Sequence, residues 1–168
     1  MLSSLSTETE KMLIEQKNRI DNLTKENTEL KTELQGEISI HLKCADDWEY
    51  FNGTFYHFST DKKTWTESRD ACVTMGGHLV IINSQQEMDF LKTKGRGHWI
   101  GLTDVHEEDS WRWVDNTPLT ALKFWGTNQP DNAGHGEHCV MIDIYQNWND
   151  VSCQSEFKRI CESRSCRI

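Results

Sequence analysis

Gln129-Pro130-Asp131, then Glu137, then Trp148-Asn149-Asp150 place two side-chain amides and three carboxylates in one short stretch of this chain. These are hard oxygen ligands, and calcium takes about six to eight of them. Pro130 adds a geometric element. A cis peptide costs little before proline, and one at Gln129-Pro130 would turn both flanking side chains toward a single ion. Gln-Pro-Asp alone is an ordinary polar turn, since Pro and Asp are common there. Joined to Glu137 and Asn149-Asp150, it reads as a calcium site with room for one more ligand.

Such a site needs a scaffold to converge it, and the surrounding sequence supplies one. Between Val114 and Cys139 there is little periodicity and frequent Gly, Asn, Asp and Pro, so the site falls on a long loop of the functional kind. Trp99–Leu102, Trp111–Val114, Val140–Ile144 and Phe157–Cys161 read as short strands rich in β-branched and aromatic residues. Upstream, Tyr50-Phe51 and Phe55-Tyr56 flank Asn52-Gly53, the pair that favours a hairpin turn. Thr64 with Glu67 forms a capping box, Trp65, Ala71, Cys72 and Met75 share one helical side, and Gly76-Gly77 ends that helix. Ser84 with Glu87 repeats the cap, with Met88 and Leu91 on one face up to Gly95.

Residues 1–43 have a different composition, with no Pro or aromatic residue and only Gly36. Leu13, Ile20, Asn27 and Leu34 fall at a positions and Leu23 and Leu30 at d positions of a heptad seam, with Glu26 at g and Lys31 at e. This predicts a coiled-coil neck over 1–43, two- or three-stranded, before a compact domain over 44–168. A lone amphipathic helix is the alternative, although a helix of this kind is marginal by itself.

The formal net charge of -9 argues against a nucleic-acid partner held through phosphates and suits cation binding. Six cysteines, Cys44, Cys72, Cys139, Cys153, Cys161 and Cys166, occur without the tight pairs of a zinc module. Disulfides in an oxidising compartment are the better reading. The sequons at Asn22 and Asn52 agree with secretion. No signal peptide opens the sequence and no apolar run of about twenty residues could span a bilayer, so any membrane attachment is expected through a segment absent from this sequence.

With these residues in view, Cys44–Cys166 resembles the C-type lectin family. Trp99-Ile100-Gly101-Leu102 is similar to that family's WIGL core motif, Trp148-Asn149-Asp150 to its WND motif, and Gln129-Pro130-Asp131 to its galactose-type selecting tripeptide. The resemblance implies an α+β fold with two helices, two small antiparallel sheets and a long calcium-binding loop. It implies disulfides Cys72–Cys161 and Cys139–Cys153. Cys44 and Cys166 then remain to pair across the domain's ends. Phe55 stands where a second hairpin cysteine is expected, so a cross-link from Cys44 to a neighbouring chain is the alternative.

The same resemblance implies a function. Gln129, Asp131, Glu137, Asn149 and Asp150 would surround the principal calcium and bind two adjacent sugar hydroxyls. Amide NH2 groups donate to hydroxyl oxygens and carboxylates accept hydroxyl protons. The amide-to-acid order across Pro130 selects the cis 3,4-diol of galactose or N-acetylgalactosamine. The Asn132–Gly136 segment lacks the aromatic residue that usually covers galactose, which leaves stacking to His135 or to nothing. Asp104, Glu108 and Asn132 match an auxiliary calcium site whose remaining acid is replaced by His138, a poor ligand for a hard ion. Because the ligands must be deprotonated, acidification should weaken metal and sugar binding together, with His135 and His138 sharpening the response.

The expected protein is therefore a non-enzymatic, calcium-dependent lectin for galactose-type glycans. It would be a homo-oligomer through its neck, secreted or displayed as a type II ectodomain. A lectin-fold head that binds a protein ligand without sugar is the alternative. Catalysis lacks support, since no HExxH, nucleophile elbow or contextual Cys-His pair occurs.

Overall fold

A computed structural model describes residues 2–43 and 47–165, with side chains placed over 7–36 and 47–165. The chain divides into two compact units, Met1–Leu42 and Lys43–Ile168.

The first unit is built on one helix, α1 (Leu2–Lys43). Among its described side chains, those of residues 7–36, no apolar one is buried. Leu13, Ile20, Leu23, Leu30 and Leu34 are all exposed, at 51–66%. Asn27 donates to the Leu23 carbonyl one turn back at 3.2 Å. No helix among the described residues is long and apolar enough to cross a membrane.

The second unit begins with the hairpin of β1 (Trp48–Phe51) and β2 (Thr54–Phe58). Asn52 and Gly53 turn it with φ of 47° and 88°, the doubly positive geometry that this dipeptide tolerates. α2 (Trp65–Thr74) starts on the expected capping box: Thr64 accepts from the Glu67 N–H, and the Glu67 carboxylate accepts from the Thr64 N–H. β3 (His78–Leu79) follows, then α3 (Gln85–Lys92). The Ser84 hydroxyl caps α3, but Glu87 does not complete a box. Its carboxylate accepts instead from the Asn83 N–H at 2.7 Å and the buried Tyr56 hydroxyl at 2.7 Å.

The remaining strands are β4 (His98–Thr103), β5 (Arg112–Trp113), β6 (Cys139–Ile142), β7 (Trp148–Val151) and β8 (Lys158–Ser163). They follow the order β1-β2-β8-β4-β6-β7, with β3 added on β8 and β5 on β4. Two antiparallel halves are present, as expected. They meet through a short parallel pairing of β4 with β8, His98 opposite Lys158 and Trp99 opposite Arg159. With β5 and β6 on one side and β8 on the other, β4 is buried at every residue, as its largely apolar sequence requires.

The motif Trp99-Ile100-Gly101-Leu102 thus forms the centre of the core. The Trp65 indole donates to the Ile100 carbonyl at 2.9 Å. A Cβ on Gly101 would stand 2.8 Å from the Leu79 carbonyl oxygen and 3.0 Å from that of Val80, so no larger residue fits without parting the chains. Cys72–Cys161 ties α2 to β8, and Cys139–Cys153 closes the β6–β7 hairpin. The expected Cys44–Cys166 pairing lies outside the described residues.

Each expected strand is present with its ends shifted by one or two residues, and β3 and β7 form where no strand was expected. Val140–Ile144 ends early, because Asp143 turns the chain: its Oδ1 accepts from the N–H groups of Tyr145 and Asn147 at 2.8 and 2.9 Å. β7 forms where only a ligand motif was expected, paired residue for residue with β6.

Candidate functional site

The β6–β7 hairpin is the platform on which the loop ligands converge. Register places Asn149 opposite Met141 and Asp150 opposite Val140, and adjacent residues of a strand face opposite sides. Asp150 is accordingly buried, at 1% exposure, while Asn149 is half-buried. A carboxylate that deep needs donors. Asp150 accepts from the backbone N–H of Asp131 at 3.2 Å and of Asn132 at 2.8 Å, which ties the tripeptide loop to β7.

The Gln129–Pro130 peptide is cis. Beyond Asp131 the loop folds back through Asn132, which takes the left-handed conformation with φ of 42°. Its side-chain oxygen accepts from the Glu137 N–H at 3.0 Å, and the Glu137 carboxylate accepts from the Ala133 N–H at 2.9 Å. These reciprocal bonds carry Glu137 to the other two acids. Carboxylate oxygens of Asp131, Glu137 and Asp150 lie within 4.8 Å of one another.

Three acids this close repel. Burial, then the charges of Asp150 and Asp131, push the Glu137 carboxyl above its ordinary value, against the pull of the Ala133 N–H. The side-chain oxygen of Gln129 is buried and has no hydrogen-bond partner. Three carboxylates with no cationic side chain among them, and an orphaned amide oxygen on the same loop, form a donor set that fits a hard divalent cation such as calcium. Gln129, Asp131, Glu137, Asn149 and Asp150 would hold it.

Gln129 and Asn149 also line one cavity of ≈ 610 Å³, together with Met141, Tyr145, Val151 and Phe157. His135 is not part of its lining. It sits exposed in the short 3-10 turn Ala133–His135 with φ of 58°.

The auxiliary residues gather as well, around a different centre. Asp104, Glu108 and His138 offer ligand atoms within 4.8 Å of one another. His138 Nδ1 lies 3.1 Å from Asp104 Oδ1 and 3.6 Å from Glu108 Oε2. Asp104 is buried, and its other oxygen accepts from the Asp109 N–H at 2.9 Å. Asn132 joins the two clusters, donating through its side chain to Glu108 at 2.7 Å. An imidazole among these acids fits calcium poorly. It can instead occupy the space between the two carboxylates.

A family model described as the Lectin C-type domain matches residues 61–163, which hold every residue of this site. The chain belongs to the C-type lectin domain family. C-type lectin domain family 4 member F of Mus musculus is 41% identical over 154 residues, covering 88% of this chain and 28% of that protein. C-type lectin domain family 4 member E of Homo sapiens is 45% identical over 143 residues, covering 80% and 65%. The chain thus spans less than two thirds of the length of either relative. Among solved structures, the cow CD23 C-type carbohydrate-recognition domain, determined in the presence of a GlcNAc2Man3 oligosaccharide, is 40% identical with a TM-score of 0.68 over 71% of this chain and 95% of that one. A trimeric structure of the Kupffer cell C-type lectin receptor Clec4f is 41% identical with a TM-score of 0.65, covering 82% and 93%. This C-type lectin domain therefore has the fold of carbohydrate-recognition domains.

Sequence reasoning passed over Tyr145 and Ile144 on the cavity wall. The available signal is an aliphatic-aromatic pair between Asp143 and Gln146-Asn147, a turn composition that overlaps the end of the expected Val140–Ile144 strand.

Proposed function

We propose that this C-type lectin domain binds terminal galactose or N-acetylgalactosamine of glycans in a calcium-dependent manner. The observation that carries this reading is the convergence of the Asp131, Glu137 and Asp150 carboxylates, with the buried, unpartnered side-chain oxygen of Gln129 on the same cis-proline loop and Gln129 and Asn149 lining one cavity. Calcium, when bound, supplies a centre that takes up the lone pairs of two adjacent sugar hydroxyls.

The chain's own residues do the rest. Gln129 and Asn149 donate amide N–H to hydroxyl oxygens, while Asp131 and Glu137 accept hydroxyl protons. Asp150 holds the loop by its two backbone hydrogen bonds, so the ligands are set before the sugar arrives. The Gln-before, Asp-after order around Pro130 places donor and acceptor for a cis diol. Glu137, already raised, brings proton and metal into competition, so affinity falls on acidification.

The auxiliary calcium site belongs to the same proposal in a reduced form. Asp104, Glu108 and Asn132 support the loop through His138 rather than through a second ion. Residues 1–43 are the neck and 44–168 the recognition domain. Self-association through the exposed Leu13–Leu34 seam would cluster weak single sites into avid arrays. Cys72–Cys161 and Cys139–Cys153 support an extracellular setting, secreted or at the cell surface.

One observation favours a second reading, a lectin-fold head that binds a protein without sugar: the 132–136 segment offers no Trp, Tyr or Phe to a galactose face. Passage over immobilised galactose separates the two. Retention in calcium with elution by chelator supports the lectin. Unretained protein in saturating calcium contradicts it.

A further inference from the structure

The Asp143–Asn147 turn at the tip of the β6–β7 hairpin is unusually well built for an exposed loop. Asp143 accepts from Tyr145, Gln146 and Asn147 N–H groups through its side chain and carbonyl, and its own N–H donates to the Asn147 carbonyl at 2.8 Å. The Gln146 side chain anchors the turn to the Lys92 carbonyl at 2.9 Å. Nothing in this bonding buries the two residues it displays. Ile144 is 58% and Tyr145 76% exposed.

Both residues line the ≈ 610 Å³ cavity that begins at Gln129 and Asn149. Asn147, the last residue of the turn, lines the same cavity and lies two residues before Asn149, so the turn and the diol-binding amides share one continuous lining. Met141, Val151 and Phe157 give the cavity an apolar lining, while Asp143 and Asn147 add polar groups to it. A pyranose has the matching character, with C–H groups on its face and hydroxyls around its edge.

We infer that Tyr145, with Ile144, forms a second subsite that takes the sugar residue next to the terminal one, its apolar face against the Tyr145 ring. A rigid aromatic presented on a pinned turn binds at little entropic cost. The subsite gives this lectin the aromatic surface that segment 132–136 lacks, and makes it a reader of disaccharide units. The inference rests on the principal site binding a terminal galactose as proposed above.

Calorimetry of the full chain in calcium with methyl β-galactoside, lactose and octyl β-galactoside tests it. Lactose should bind about fivefold more tightly than the methyl glycoside, the gain expected of one aromatic contact. Tyr145→Ala should bring that ratio close to one, and Tyr145→Phe should keep it. Methyl galactoside that fails to bind in calcium would overturn the principal-site reading and the subsite with it. Chelator-sensitive methyl galactoside binding with no lactose gain, or a gain that survives Tyr145→Ala, would overturn the subsite alone. A gain for the octyl glycoside without one for lactose would also overturn it, by showing an alkyl occupant.

Discussion

His138 Nδ1 lies 3.1 Å from Oδ1 of the buried Asp104, in the space between that carboxylate and Glu108. The imidazole stands where the family resemblance would place an acid, and it changes the ion count expected of the domain. The wild-type domain should bind one equivalent of calcium by calorimetry, and His138→Asp two. His138→Ala, which strips the buried Asp104 of this partner, should cost about 1–3 kcal/mol in urea unfolding under chelator. Two equivalents in the wild type would contradict the assignment.

Glu137 sets stability against function. Its carboxyl is raised by burial and by the Asp150 and Asp131 charges, so the ionised form is disfavoured in the metal-free fold. Glu137→Gln keeps an acceptor for the Ala133 N–H and removes one repelling charge. In chelator at neutral pH the variant should unfold at equal or higher urea than wild type, while its calcium affinity falls at least about tenfold, a trade-off common at functional sites. A variant less stable in chelator with calcium affinity intact would refute the repulsion argument.

A second acidic position, Glu162 on β8, outside the Asp131–Glu137–Asp150 cluster, predicts a pH dependence of folding. Burial, then the nearby Glu87 charge, push Glu162 from 4.5 up to about 8, against a 2.6 Å hydrogen bond from the Ile81 N–H. Because the folded pKa exceeds the unfolded one, the native state holds a proton that the unfolded chain releases. This contribution is fully present below about 4.5 and lost as pH rises through about 8. Thermal midpoints in chelator should therefore fall from mildly acidic to mildly alkaline buffer, and Glu162→Gln should flatten that slope. Equal slopes would rule Glu162 out as its source.

The exposed seam of α1 predicts assembly. Sedimentation should give an oligomer for the full chain and a monomer for residues 44–168. Leu23→Asp with Leu30→Asp should reproduce the monomer within the full chain, since charges at d positions oppose a coiled-coil core. An oligomer that survives both changes would place self-association elsewhere.

Much of this fold was readable because the determining signals are local. The Thr64–Glu67 box, the Asn52-Gly53 turn and the apolar run of β4 each specify their element within a few residues. β7 was not readable in that way. Trp148-Asn149-Asp150 lacks strand alternation, and becomes a strand through pairing with β6 and the Cys139–Cys153 closure. At the site, ligand types and order were legible for Gln129, Asp131, Glu137, Asn149 and Asp150. The hydrogen bonds that converge them, from Asp150 to the Asp131 and Asn132 backbone, were not, because they cross 19 and 18 residues and leave no pattern in residue type. Glu87 illustrates the same limit. Its spacing from Ser84 suggested a cap, whereas its carboxylate serves Asn83 and Tyr56.

The claim at the centre is that the Gln129-Pro130-Asp131 order selects a galactose-type diol through calcium. A glycan array of wild type beside the double variant Gln129→Glu, Asp131→Asn, each in calcium and in chelator, measures it most directly. The predicted result is chelator-sensitive wild-type binding to terminal galactose or N-acetylgalactosamine, shifting toward mannose-type termini in the variant. Wild-type binding that persists in chelator, or one specificity shared by both proteins, would contradict it.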